Sequence, residues 1–133
     1  MPLSGILKIE MRSFKTRHFQ RWMRKTALSD AALRKAVQEM AAGLIDADLG
    51  GGVVKKRIGL AGRGKRGGVR TLVATNKGNR WFFLFGFEKN ERDNIGDDEL
   101  QALQDYAADL LKRTAAQLDT AVTDGTLLEI ADD

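Results

Sequence analysis

Cysteine is absent from this 133-residue chain, and proline, histidine and tyrosine each occur once. Without cysteine there is neither a disulfide framework nor a thiolate metal site. The lack fits a reducing cytoplasm, where the protein is expected to reside. The one histidine, His18, leaves little for imidazole ligation or for serine–histidine–acid catalysis. It lies among basic residues on an expected helix and reads as a surface residue. No apolar run approaches the ~18 residues of a spanning helix. The opening MPLSGILKIEMRSFK has no apolar signal segment, so neither membrane insertion nor export is expected.

Charge is present in quantity and unevenly spread. Residues 1–87 carry 18 Lys/Arg and 5 Asp/Glu, whereas residues 88–133 carry 4 and 13. The segment Lys55–Arg70 reads KKRIGLAGRGKRGGVR, with seven cations, no acid and repeated glycine. Such a stretch repels itself unless a polyanion neutralises it. Glycine lets backbone come close to a ligand. Phosphate is the expected target, and RNA its expected source.

Hydrophobic residues make up 43% of the chain, enough for the core of one domain. Ile6–Met11 alternates like a short strand. Ser13 is a candidate cap for a helix over about Phe14–Lys25, and Ser29 or Asp30 for a second over about Ala31–Ala42, stopped at Gly43. These two predict a helical hairpin. Gly50-Gly51-Gly52 reads as a hinge or bulge. Val53–Leu60, Val69–Thr75 and Arg80–Phe87 then read as strands, joined by a glycine-rich turn at Ala61–Gly68 and a tight turn at Asn76–Asn79. Asp97 or Asp98 opens an amphipathic helix through about Leu118. The expected class is α+β: a helical hairpin, an antiparallel sheet of three to four strands, and a C-terminal helix. Residues 1–118 form the expected domain. Residues 119–133 form an extension, with a last turn around Leu127-Leu128-Ile130 or a flexible end.

Two phosphate-loop patterns in the basic segment fail on context. Gly62-x-Gly64-x-x-Gly67 needs a following helix to meet a pyrophosphate, but a strand-like run follows. Gly59-x-x-x-x-Gly64-Lys65-Arg66 has arginine where a P-loop needs a magnesium-binding hydroxyl. No cofactor and no metal are expected. A cationic pocket remains, and RNA can be cut without metal when its own 2′-hydroxyl attacks the adjacent phosphorus. The site must take that proton, stabilise charge on phosphorus and protonate the leaving oxygen. Guanidinium groups bind phosphate oxygens bidentately. Lys65, crowded by Arg63 and Arg66, is the candidate proton-exchanging lysine. Arg70 is expected on the central strand, as an exposed cation beside Lys65 and facing the same cleft as Lys89. Trp81, Phe82, Phe83, Phe85 and Phe87 alternate faces, and one or two of them are candidates to stack on bases.

Taken together, Lys56-Arg57-Ile58, Gly62–Arg70, the run Phe87–Ile95 (FEKNERDNI) and Glu99-Leu100 resemble the RelE/HigB branch of type II toxin–antitoxin toxins. The resemblance covers about residues 53–111. It implies a fold similar to small microbial ribonucleases and a metal-independent endoribonuclease that cuts mRNA on the ribosome. It also implies silencing by a cognate antitoxin. Catalytic roles fall by this reading on Arg63, Lys65, Arg70 and Lys89, and RNA-binding roles on Lys55, Lys56, Arg57, Arg66 and Arg92. Some members place a tyrosine shortly after the last strand. Here Asn90–Leu100 has none, and Tyr106 lies deeper in the expected helix. A non-enzymatic DNA gyrase inhibitor of the related ParE branch is the alternative, and an inactive nucleic-acid-binding relative a third.

Overall fold

A computed structural model describes residues 10–60 and 64–131, with side chains at 10–60 and 67–131. The expected strand at Ile6–Met11 lies mostly outside the described residues. The first element is β1 (Arg12–Thr16), followed by α1 (Arg17–Met23) and α2 (Asp30–Ala41). Next come β2 (Ala47–Gly50), β3 (Val53–Leu60), β4 (Gly64–Thr75) and β5 (Arg80–Glu88). The chain continues through α3 (Asp97–Leu111), α4 (Ala115–Asp124) and β6 (Leu127–Glu129). The α+β class holds, but among the described residues the sheet has six strands, in the order β2-β3-β4-β5-β1-β6. Strands β2 to β5 form an antiparallel meander. Strand β1 runs parallel to β5, and β6 antiparallel to β1.

The sheet has a core on each side. Phe19 and Met23 of α1 and Leu33, Val37 and Met40 of α2 pack with Val54, Ile58, Val69, Val73, Trp81 and Phe83. Ala107 and Leu110 of α3 and Leu118 and Ala121 of α4 pack with Phe14, Val53, Leu72, Phe82 and Phe87. Successive strand residues point to opposite faces. That is why Phe82 and Phe83, neighbours in sequence and both fully buried, belong to different cores.

Several boundaries correct the sequence reading. The first helix starts at Arg17, not Phe14, because Thr16 rather than Ser13 caps it, accepting from the Phe19 N–H at 3.1 Å. Phe14 lies in β1 and stacks on Phe82, centroids 5.0 Å apart. The segment Gly64–Gly68, expected in a turn, belongs to β4. A Cβ on Gly68 would stand 2.0 Å from the Ile58 carbonyl oxygen, so glycine there permits backbone to approach backbone. The long helix breaks after Leu111. Thr114 and Gln117 then form a reciprocal capping box that starts α4. The boundary expected at residue 118 falls inside α4. Leu127–Glu129, expected in a last turn or a flexible end, forms β6, with Leu127 and Ile130 buried.

Candidate functional site

On β3 the alternation separates the cations. Val54, Lys56 and Ile58 point toward α2. Lys56 is 2% exposed, and its ammonium lies 2.8 Å from a Glu39 carboxylate oxygen and donates to the Leu44 carbonyl at 2.8 Å. It was expected to bind RNA but is committed to holding β3 against α2. Its neighbours Lys55 and Arg57 point the other way. Lys56 fills the one gap in the alternating apolar positions Val54, Ile58 and Leu60, which was the sequence signal that it faces inward.

The register of the meander then builds rows across the outward face. Arg57 pairs with Arg70, which pairs with Phe87. One row along, Lys55 pairs with Leu72, which pairs with Phe85. Residues directly opposite on neighbouring strands have Cβ atoms about 4.5–5.5 Å apart. Arg57 and Arg70 are therefore adjacent like charges, an arrangement unfavourable in isolation. Neither makes an ion pair with a described residue.

Arg70 sits on central strand β4, as expected, but it is not an exposed cation. It is 6% exposed, and its buried Nη1 has no hydrogen-bond partner. A buried guanidinium N–H without an acceptor is costly. An anionic oxygen would satisfy it.

The third side of the site comes from the segment after β5. Arg92 is clamped to Glu99, with one bond at 3.0 Å, and also donates to the Asn94 carbonyl at 3.0 Å. Its guanidinium lies 5.9 Å from the Phe85 centroid and 5.8 Å from that of Phe87, within cation–π range. The Arg92 bond, then the Gly96 N–H, holds the Glu99 carboxyl below its ordinary value. Arg92 is thus fixed over the aromatic end of the rows rather than free in solvent. Lys89 is exposed in the turn that follows β5, one residue beyond Glu88, which pairs with Val69.

Arg63 and the side chains of Lys65 and Arg66 lie outside the described residues. The described geometry brings together Lys55, Arg57, Arg70 and Arg92, and sets Lys56 aside. His18 is exposed, as the surface residue it was read to be, and one ring face stacks on Phe85 with centroids 5.4 Å apart and planes 7° apart, a contact not foreseen. Its position on the turn of α1 nearest β5 had no local signal. Tyr106 lies on α3, 38% exposed, its phenol raised chiefly by burial. Among the described residues no helix is long and apolar enough to cross a membrane.

Compared with protein families, residues 11–130 match the RelE toxin of the RelE/RelB toxin–antitoxin system. No curated protein matches the chain. The match runs from just before β1 to just after β6, so it takes in both cores and the cationic rows. With a basic, aromatic-edged sheet face matched from end to end, the chain belongs to the RelE toxin family.

Proposed function

We propose that this toxin is a metal-independent endoribonuclease that cuts mRNA on the ribosome and so stops translation. The observation that carries the reading is the row Arg57–Arg70–Phe87, with the buried, unpartnered Nη1 of Arg70 at its centre. Arg70 and Arg57 hold the scissile phosphate and stabilise the charge that grows on it during attack by the 2′-hydroxyl. Lys55, beside them, adds to the positive field. Lys65 exchanges the proton, Arg63 and Lys89 supply further charge, and Arg66 binds the flanking RNA. Arg92 holds Phe85 and Phe87 as an apolar wall beside the phosphate. Free RNA is cut poorly, because the 2′-hydroxyl needs to be ordered by a partner before a site without a histidine base can use it. Membership of the family also implies an antitoxin.

The test compares Arg70→Ala, Arg57→Ala and Lys65→Ala for growth arrest and for cleavage of ribosome-bound mRNA. Loss of one charge-stabilising donor commonly costs about 2.7–4 kcal/mol, or roughly 10²–10³ in rate. Arg70→Ala should show that loss. Arg70→Met is the folding control: it removes the orphaned N–H, keeps the bulk and should melt no lower than the parent. Folded Arg70→Ala that cleaves like the parent would place the site elsewhere. Growth arrest with no mRNA cleavage in any variant would favour the gyrase-inhibitor reading.

A further inference from the structure

Strand β1 pairs with only the first half of β5, its last partner being Phe83. Beyond that point α1 crosses the uncovered edge of β5. A groove of about 570 Å³ opens there between α1, the far half of β5 and the segment after it. Its floor is aromatic: Phe85, Phe87 and the edge of Trp22, which lies so close to Gly86 that a Cβ there would meet the indole at 2.3 Å. Its rim is cationic, with Arg21, Arg24 and Lys25. All three are exposed, and none makes an ion pair with a described residue. Glu91 is the one acid among the described lining residues, and it accepts from the Glu88 N–H.

His18 uses one ring face against Phe85 and is otherwise exposed. Phe85 and Phe87, 6.3 Å apart, belong both to this groove and to the rows across the meander, Phe87 to the row of Arg57 and Arg70 and Phe85 to that of Lys55. The groove and the candidate cleavage site therefore share a wall. Base faces stack on aromatic rings regardless of sequence, and neighbouring cations take up the backbone phosphates.

We propose that this groove binds an unpaired RNA nucleotide flanking the scissile phosphate. Its base extends the Phe85–His18 stack, and its phosphate rests on Arg21, Arg24 and Lys25. The proposal rests on the ribonuclease reading above, since that reading puts RNA on the shared wall. Binding here fixes the path of the strand, whereas Arg70 acts on the phosphate itself.

Trp22 gives a direct readout, because Trp81 is fully buried and reports little of the groove. Arg70→Ala protein, in which turnover is expected to be slowed roughly 10²–10³-fold, is titrated with a short unstructured RNA while tryptophan fluorescence is followed. Saturable quenching that weakens with added salt is the expected result. Adding Arg24→Glu and Lys25→Glu should weaken binding at least about tenfold, because phosphate contacts carry much of the affinity. His18→Ala should weaken it roughly tenfold, within the range of one base–aromatic stack. All three substitutions are at exposed positions, and circular dichroism checks the fold.

RNA that leaves Trp22 unquenched, or binds both variants as it binds the parent, overturns the groove. So does quenching by inorganic phosphate or polyglutamate that RNA cannot match, which would mark an anion or acidic-peptide site. Separately, a parent that never cleaves ribosome-bound mRNA but shows the quenching and its loss in the variants sinks the ribonuclease reading and supports the groove. Cleavage by the parent with unaltered groove variants does the reverse.

Discussion

Lys56 and Glu39 meet where β3 packs on α2, ammonium to carboxylate at 2.8 Å, with the lysine almost wholly out of water. Breaking a buried pair from one side leaves the other charge uncompensated. Lys56→Ala should therefore cost about 3 kcal/mol, the low end of the range, because the Glu39 side chain is 22% exposed. Lys56→Met, which keeps the packed stem, should cost less. Urea unfolding of both variants measures the difference. RNA binding by the folded fraction should be unchanged. A Lys56→Ala protein as stable as the parent but deficient in RNA binding would contradict the inward placement.

Acid should loosen the clamp beside the cationic rows. The Glu99 carboxyl accepts from Arg92 and from the Gly96 N–H at 2.9 Å, and is held below its ordinary 4.5. The folded state thus favours the ionised form. Its contribution is fully present above the ordinary glutamate value and disappears as pH falls through the lower, folded value. Carboxyl titration by NMR should place Glu99 below its value in the unfolded chain. Glu99→Gln should remove the effect and speed amide exchange at Gly96. A native Glu99 that titrates at its ordinary value would show that Arg92 is not held.

Deleting residues 126–133 should disrupt the fold. Leu127 is 1% and Ile130 3% exposed, and the Ile130 N–H donates to the Ser13 carbonyl at 2.8 Å. Removing two buried aliphatic side chains costs roughly 2–5 kcal/mol each, against a total stability of about 5–15 kcal/mol. Soluble yield and the thermal melt should both fall sharply. A truncated chain that melts with the parent would show that Leu127 and Ile130 do not hold the two cores together.

Where local pattern and tertiary structure agree, the sequence reading was sufficient. Strand β3 has the expected ends, β5 differs by one residue, and Ser29 caps α2. It failed where distant segments decide. Phe14-Lys15-Thr16 continues into a helix-like run, and only pairing with β5 and β6 makes it a strand. The apolar spacing through Leu118 hid the break before α4, although Thr114-x-x-Gln117 carried its cap signal. At the site, composition located the cationic segment, and strand alternation could have separated Lys56 from Lys55 and Arg57. The burial of Arg70 was not legible, since it depends on what packs over the middle of the sheet. Nor was the approach of His18 to Phe85, which depends on where α1 crosses β5.

The placement of β1 also bears on timing. Its two ladders are both with strands made much later, and Arg12 bonds Glu129 across 117 positions of sequence. A strand synthesised early but seated only when β5 and β6 exist makes folding depend on non-local closure. Such topologies fold more slowly than those built from local contacts. Strand β1 also seats Thr16, the cap of α1, so the helix that overhangs the free half of β5 is positioned late. The newly made chain thus passes through an interval without an assembled basic face, which forms only once its last strand has been added.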